Sequence, residues 1–393
     1  MAIAGLVFPS PLQKRPTFVK QDYARRDQAI TLFETGALLP AVNETLRYLN
    51  PGAGKVDLQK APLHWAQGTA QIQIALEGEH LSVRSQLICI DSHVSNPAVL
   101  RYFLSKISNT GQLFQPRLTG DELALAFSEK LSLLHPQKLI EVLQKLPGIA
   151  DSHDAWLCEE LGAELSTRAP LKALSGAERK RALSFWTQHW NDMEALLLES
   201  RRRRSMQFLD SVGRLAINHV RYVLPLFGSL RHTLNQSADL FTDRDENPKL
   251  RENELARSIR TMQGASEDQL LSCLGHVKYA FSPWTPGSAD VLRSAIGNVH
   301  HMHQSNEMRL SGRALEASVG LAANFLYLLA YFAWPAPVER ALRAAIAAAS
   351  NKPWQECADI LWKHAQAIGE KLGSSSDEES DEDASTNEQG EHA

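Results

Sequence analysis

The chain lacks most of the local signatures that announce a reaction. It has four cysteines in 393 residues, Cys89, Cys158, Cys273 and Cys357, and no CxxC pair. That spacing gives neither a zinc ribbon nor a disulfide framework, and predicts reduced, buried thiols in a cytoplasmic protein. No GxSxG nucleophile turn and no GxxxxGK[ST] phosphate loop occurs. Pro51-Gly52-Ala53-Gly54-Lys55 has glycines and a lysine, but it follows a helical pattern and lacks the hydroxyl residue. Basic charge is scarce as well, with 41 Lys and Arg against 45 Asp and Glu, net −4. Residues 374–393 hold eight acids and no Lys or Arg, so removing those eight charges from −4 leaves a body at +4. Such a body is far from the charge of a dedicated nucleic-acid binder. The acidic tail, poor in apolar residues, is expected to be disordered. No basic residue precedes the short apolar run ending at Phe8, which Pro9 and Pro11 cut off, so a secretory leader is not expected. One uncharged run, Ala317 to Val338, is long enough to consider as a membrane span. Asn324 at its centre and the closing Pro335 and Pro337 favour the buried central helix of a helical domain.

What is present begins with alternation. Ile72, Ile74 and Leu76, then Leu81, Val83, Ser85 and Leu87, flank Glu77-Gly78-Glu79-His80 and predict an antiparallel hairpin with one buried face. Asn96 and Pro97 open a helix to Ile107. A second hairpin follows, Gln112–Arg117 and Glu122–Ser128, turning at Leu118-Thr119-Gly120-Asp121. Pro136 then starts a helix carrying Leu139, Ile140, Val142, Leu143 and Leu146, continued past Pro147-Gly148 to Leu161. Upstream, residues 21–50 read as helix broken at Gly36 and Pro40, and a loop with Pro62 and Trp65 leads to the first hairpin. The expected class is α+β: an antiparallel sheet with helices, followed by an all-α helical domain and the acidic tail. The expected divisions are a flexible arm 1–19, the α+β domain 20–168, the helical domain 170–372 and the tail 373–393.

The hairpin–helix–hairpin–helix order over about residues 25–165 resembles the type III secretion chaperone fold, and especially its relative the YbjN family. Leu118-Thr119-Gly120-Asp121-Glu122-Leu123-Ala124-Leu125 is similar to that family's second hairpin. Ala150-Asp151-Ser152-His153-Asp154-Ala155-Trp156-Leu157 resembles its closing helix. The resemblance implies a small, dimer-forming binder that holds partner segments against sheet and helix, linked to regulation and not to catalysis. On that footing the chain is expected to be a non-enzymatic, chaperone-like adaptor that binds a partner protein, with a homodimer possible and no cofactor. Tyr102 and Phe103 are the first interface candidates.

After Pro170 apolar residues recur at three-four spacing: Leu183, Trp186, Trp190, Met193 and Leu197, then Phe208, Val212, Leu215, His219, Tyr222 and Leu226. Between the two runs lie Arg201 to Arg204. Arg201 and Arg204 would sit on the seam of an unbroken helix, where they could bind an anion or, with Lys14-Arg15, a nucleic-acid backbone. If the helical phase slips there, the four are a solvated junction. Asp243 to Glu254 mimics a calcium loop, but Pro248 stands at the position that needs a glycine. His300 and His303 share a helical face and are the one candidate metal pair, the centre of an alternative reading as a metal-dependent enzyme. Asp151 and Asp154 could pass for a carboxylate pair, but their place near a helix N-terminal end predicts a solvent-facing position.

Overall fold

The computed structural model describes residues 5–15, 18, 21–54, 56–90, 97–107, 111–166, 169–242 and 247–385. The N-terminal half is an α+β unit. Two short helices, α1 (Tyr23–Glu34) and α2 (Leu38–Leu49), precede three strands, β1 (Leu63–Gly68), β2 (Ala70–Glu77) and β3 (His80–Cys89). Helix α3 (Pro97–Ile107), strands β4 (Gln115–Thr119) and β5 (Glu122–Lys130), helix α4 (Pro136–Leu161) and the two-residue strand β6 (Glu164–Leu165) complete it. Both expected hairpins are present. Each turns at a glycine of positive φ, Gly78 (63°) and Gly120 (59°), a conformation glycine reaches without a Cβ penalty. Helix α4 runs unbroken through Pro147, although a proline inside a helix costs about 3 kcal/mol. Leu139, Val142, Leu143, Leu146, Ala150 and Leu157 hold it by burying one face against the sheet.

Three features depart from the sequence reading. First, the stretch around Trp65 is a strand, not a loop: β1 pairs with β2 in the register Leu63↔Ile74 and Trp65↔Ile72. Second, the helical half is not all-α. Strand β7 (Lys278–Tyr279) crosses over and pairs with β1, giving the order β4-β5-β3-β2-β1-β7. A further two-residue parallel pair, β8 (Thr285–Pro286) with β9 (Phe332–Ala333), lies within the helical half. Third, the described part of the N-terminal arm is not loose. Leu6, Phe8 and Leu12 are buried in the core of the helical half. Leu12 N–H donates to Val223 O (2.7 Å), Phe8 N–H to Ser350 Oγ (2.8 Å) and Asn351 N–H to Leu6 O (2.7 Å). Three apolar side chains among prolines read as a tether, because their partners lie hundreds of positions away.

The helical half is built from α5 (Gly176–Arg203), α6 (Met206–Val223), α7 (Gly228–Thr242), α8 (Pro248–Gly264) and α9 (Glu267–Ser272). It continues with α10 (Ala289–Leu292), α11 (Val299–Leu310), α12 (Ala314–Tyr331), α13 (Ala336–Ala349) and α14 (Trp354–Ser385). Ser175 and Glu178 form a capping box that starts α5. Helix α12 is the central rod: Phe325, Leu326, Leu328 and Leu329 have no exposed surface. It is the one described helix long and apolar enough to cross a membrane, and it lies mostly buried inside the protein. Ile368 is the last buried residue of α14, and the side chains of residues 371–393 lie outside the description.

Candidate partner-binding face and the polar joint behind it

The sheet has two chemically different faces. Leu81, Val83 and Leu87 of β3 and Leu123, Leu125 and Phe127 of β5 point at α4 and are buried. The alternate residues face the other way. The strand registers align His64, Gln73, Arg84, Ala126 and Gln115 in one row across five strands. Beside it run Ala66, Gln71, Gln86 and Arg117, with Ala124 between Gln86 and Arg117 fully buried. Arg84 Nη2 and Gln86 Nε2 both donate to Glu122 Oε2, at 3.2 and 2.7 Å. The Arg84 Nε is buried and has no hydrogen-bond partner. Among the described residues, the helices that pack on the sheet do so on its apolar side.

The edges are less open. Gly120-Asp121 closes β4 and β5 as a two-residue turn, so Thr119 and Glu122 form the first hydrogen-bonded pair. Alternation then turns the backbone groups of Leu118 and Pro116 outward, and Pro116 has no N–H to offer an added strand. At the other edge β7 caps the end of β1, and Gln67 reinforces it, donating from Nε2 to Phe281 O (3.0 Å) and accepting from Phe281 N–H (2.9 Å). Both rims are blunted in the manner of native edge strands. The broad polar face is the surface left for a partner.

Behind the apolar face, a buried polar joint ties the two halves. Asp151 and Asp154 on α4 are 1% and 2% exposed, not solvent-facing as their sequence position predicts. Asp151 Oδ1 accepts from Thr69 N–H (2.6 Å), and the single proton of the Thr69 hydroxyl is shared between Asp151 Oδ1 (2.9 Å) and Asp154 Oδ2 (2.8 Å). Gly68, at φ +63°, brings the β1–β2 turn so close that a Cβ there would lie 2.0 Å from Asp151 Oδ1. From the helical half, Arg231 Nη1 on α7 donates to Asp151 Oδ2 (2.6 Å). Burial alone would depress the Arg231 guanidinium, but the Asp151 carboxylate and Tyr279 more than offset it and hold its pKa above the usual value. Tyr279 of β7 also bonds to Gln13 of the arm. His232 stacks on Trp156 (5.1 Å) and meets His153 edge-on (4.9 Å), extending the joint along α4 and α7.

The candidates named from sequence fall elsewhere. Phe103 is fully buried and packs on His153 at 5.6 Å, so it belongs to the core and not to an interface. The side chains of Tyr102 and His300, and residues 243–246 of the calcium-like loop, lie outside the described residues. Asn247 caps α8 by accepting from Lys249 N–H. The arginine run is a helix break. Arg204 has φ 52°, Ser205 caps α6, and no arginine sits on a core seam. Arg201 pairs with Glu252 (2.6 Å), Arg202 with Glu199 (2.8 Å), and Arg203 with Glu199 (2.6 Å) and Glu316 (3.2 Å). Arg15 is half-buried over Tyr222 and Trp284 and donates to Phe332 O (3.1 Å), so it is built into the fold. His303 faces Glu307 at 3.4 Å, both exposed, and no group of three metal-ligating side chains forms among the described residues. Of the cysteines, Cys273 and Cys357 are buried, whereas Cys89 and Cys158 are half-buried, and all four are free thiols. The sequence matches no protein-family model and no curated protein.

Proposed function

We propose that the protein is a non-enzymatic adaptor whose N-terminal α+β half binds a partner protein on the open polar face of its sheet. The observation that carries this reading is the row His64, Gln73, Arg84, Ala126 and Gln115, spanning five strands on the side of the sheet opposite the residues that pack on α4. Five strands at about 4.8 Å spacing, each contributing roughly eight residues, give a face of roughly 500 Å². A standard stable interface buries about 800 Å² per partner, so the face alone suits a reversible contact. Its chemistry agrees: amides and a half-buried Arg84 whose Nε–H is unsatisfied favour a hydrogen-bonded, wet interface over an obligate apolar one. The blunted edges direct a partner to the face and away from strand addition.

The test is photo-crosslinking in cells with a benzophenone side chain at Gln73, compared with the same group at Lys363 on the helical half. The adaptor reading expects a discrete crosslinked protein from position 73 that is absent from position 363. A second copy of this chain is one acceptable identity. Equal crosslinking from both positions, or none from position 73, would remove the reading.

A further inference from the structure

A second feature, independent of the sheet, lies in the helical half. A cavity of about 530 Å³ runs along α5, with the N-terminal arm as one wall and His219 of α6 at its floor. Its lining on α5 extends from Lys180 to Asp192, which at about 1.5 Å per residue is a slot roughly 18 Å long. Volume over length gives a cross-section of roughly 30 Å², room for a single chain within a cavity of ordinary ligand-binding size.

The slot is chemically graded. At one end Lys180 and Arg181 are exposed cations. The middle is apolar, formed by Leu6, Val7 and Phe185. At the far end stand His189, Asp192 and His219, respectively 3%, 9% and 2% exposed. His189 Nε2 is bonded to Ala216 O (2.9 Å), and Asp192 Oδ1 accepts from Gln188 Nε2 (2.8 Å). His219 has no such partner. Both ring nitrogens are buried and make no hydrogen bond, while Phe8, Phe185 and His189 hold the ring by its faces and edges at 4.8–5.3 Å. A buried, unpaired imidazole is destabilising unless something donates to or accepts from it. Among the described residues no Lys or Arg pairs with Asp192 either.

We propose that this slot binds an elongated organic anion with a hydroxyl at its far end. The anionic head would meet Lys180 and Arg181, the chain would lie between the arm and Phe185, and the hydroxyl would bond His219 and Asp192. Burial holds both imidazoles neutral, so His219 offers one donor and one acceptor and no charge, which suits a hydroxyl better than a second ionised group.

Isothermal titration of the full chain with ω-hydroxydecanoate, decanoate and decanediol tests it. The hydroxy acid should bind saturably, and about tenfold more tightly than decanoate, the worth of one good buried hydrogen bond. His219→Phe should abolish that preference. Lys180→Glu, an exposed change, should weaken both carboxylates several-fold and leave the diol alone. The proposal fails if the hydroxy acid does not saturate, if its preference survives His219→Phe, or if Lys180→Glu has no effect. Should His219→Phe not fold, Lys180→Glu decides the matter by itself.

Discussion

Replacing Asp151 with Asn isolates the charge that joins the two halves. The side chain keeps its shape, and its remaining carbonyl can still accept from Thr69, now at 2.6 and 2.9 Å. What goes is the anionic oxygen 2.6 Å from Arg231 Nη1, and an amide N–H₂ would face the guanidinium in its place. Breaking a buried ion pair by removing one partner costs about 3–5 kcal/mol, because the other charge is left uncompensated. Arg231 keeps 26% of its side chain exposed and retains Tyr279, so the lower end applies, about 3 kcal/mol. With an m value of about 3 kcal/mol per molar urea, the unfolding midpoint should fall by about 1 M. Equilibrium urea unfolding followed by tryptophan fluorescence reads this directly. In Asp151→Asn/Arg231→Met the orphaned charge is gone, and the double variant should be more stable than the sum of the single losses by at least about 1 kcal/mol. A loss under about 1 kcal/mol in Asp151→Asn, or strict additivity, would show that the pair is solvated and that the joint does not hold the halves together.

Leu12→Ala should cost about 2–4 kcal/mol, because Leu12 is 5% exposed in the helical core; a loose arm would show almost no change in the urea midpoint. Burial lowers the His189 pKa from 6.5 to about 4, with the bond to Ala216 O only partly opposing it. The folded state therefore binds fewer protons than the unfolded one in that window, and stability is full above pH 6.5 and falls as the pH drops towards 4. At about 1.4 kcal/mol per unit the His189 contribution lost is about 3 kcal/mol, and His189→Phe should flatten this part of a stability-against-pH curve. Arg201→Ala should change stability by less than about 1 kcal/mol, since its pair with Glu252 is exposed. Arg204→Gly, at φ 52°, should be neutral or stabilising by up to about 1 kcal/mol in the same assay.

Local patterns were enough for the elements that local forces set. Alternation around Gly78 and Gly120 marks both long hairpins, and Ser175 with Glu178 marks the start of α5. The residues of the open face, Gln71, Gln73, Arg84 and Gln86, are the polar half of the same alternation that revealed the strands. Strand β7 is two residues long, too short for any periodicity, and it exists only because β1 offers it an edge. Strand β1 carried one usable signal, Gly68 between two apolar-containing stretches, which is what a tight turn at positive φ requires. Asp151 and Asp154 were misplaced because acids three apart near a helix end are usually solvated. Their partners Thr69 and Arg231 are about eighty residues away on either side, beyond any spacing rule. His219 was visible as a core position, yet only the packed structure shows that its ring nitrogens lack partners.

Charge placed on the sheet face gives the sharpest decision about the adaptor reading. Ala126 lies on that face directly opposite Arg84, half-buried and pointing away from the core, so Ala126→Arg sets like charges across the strands and should lower stability by no more than about 1 kcal/mol. Calorimetric titration of the protein crosslinked from position 73 should then show at least a hundredfold weaker affinity for Ala126→Arg. Unchanged affinity in the folded variant would place the partner elsewhere on the molecule.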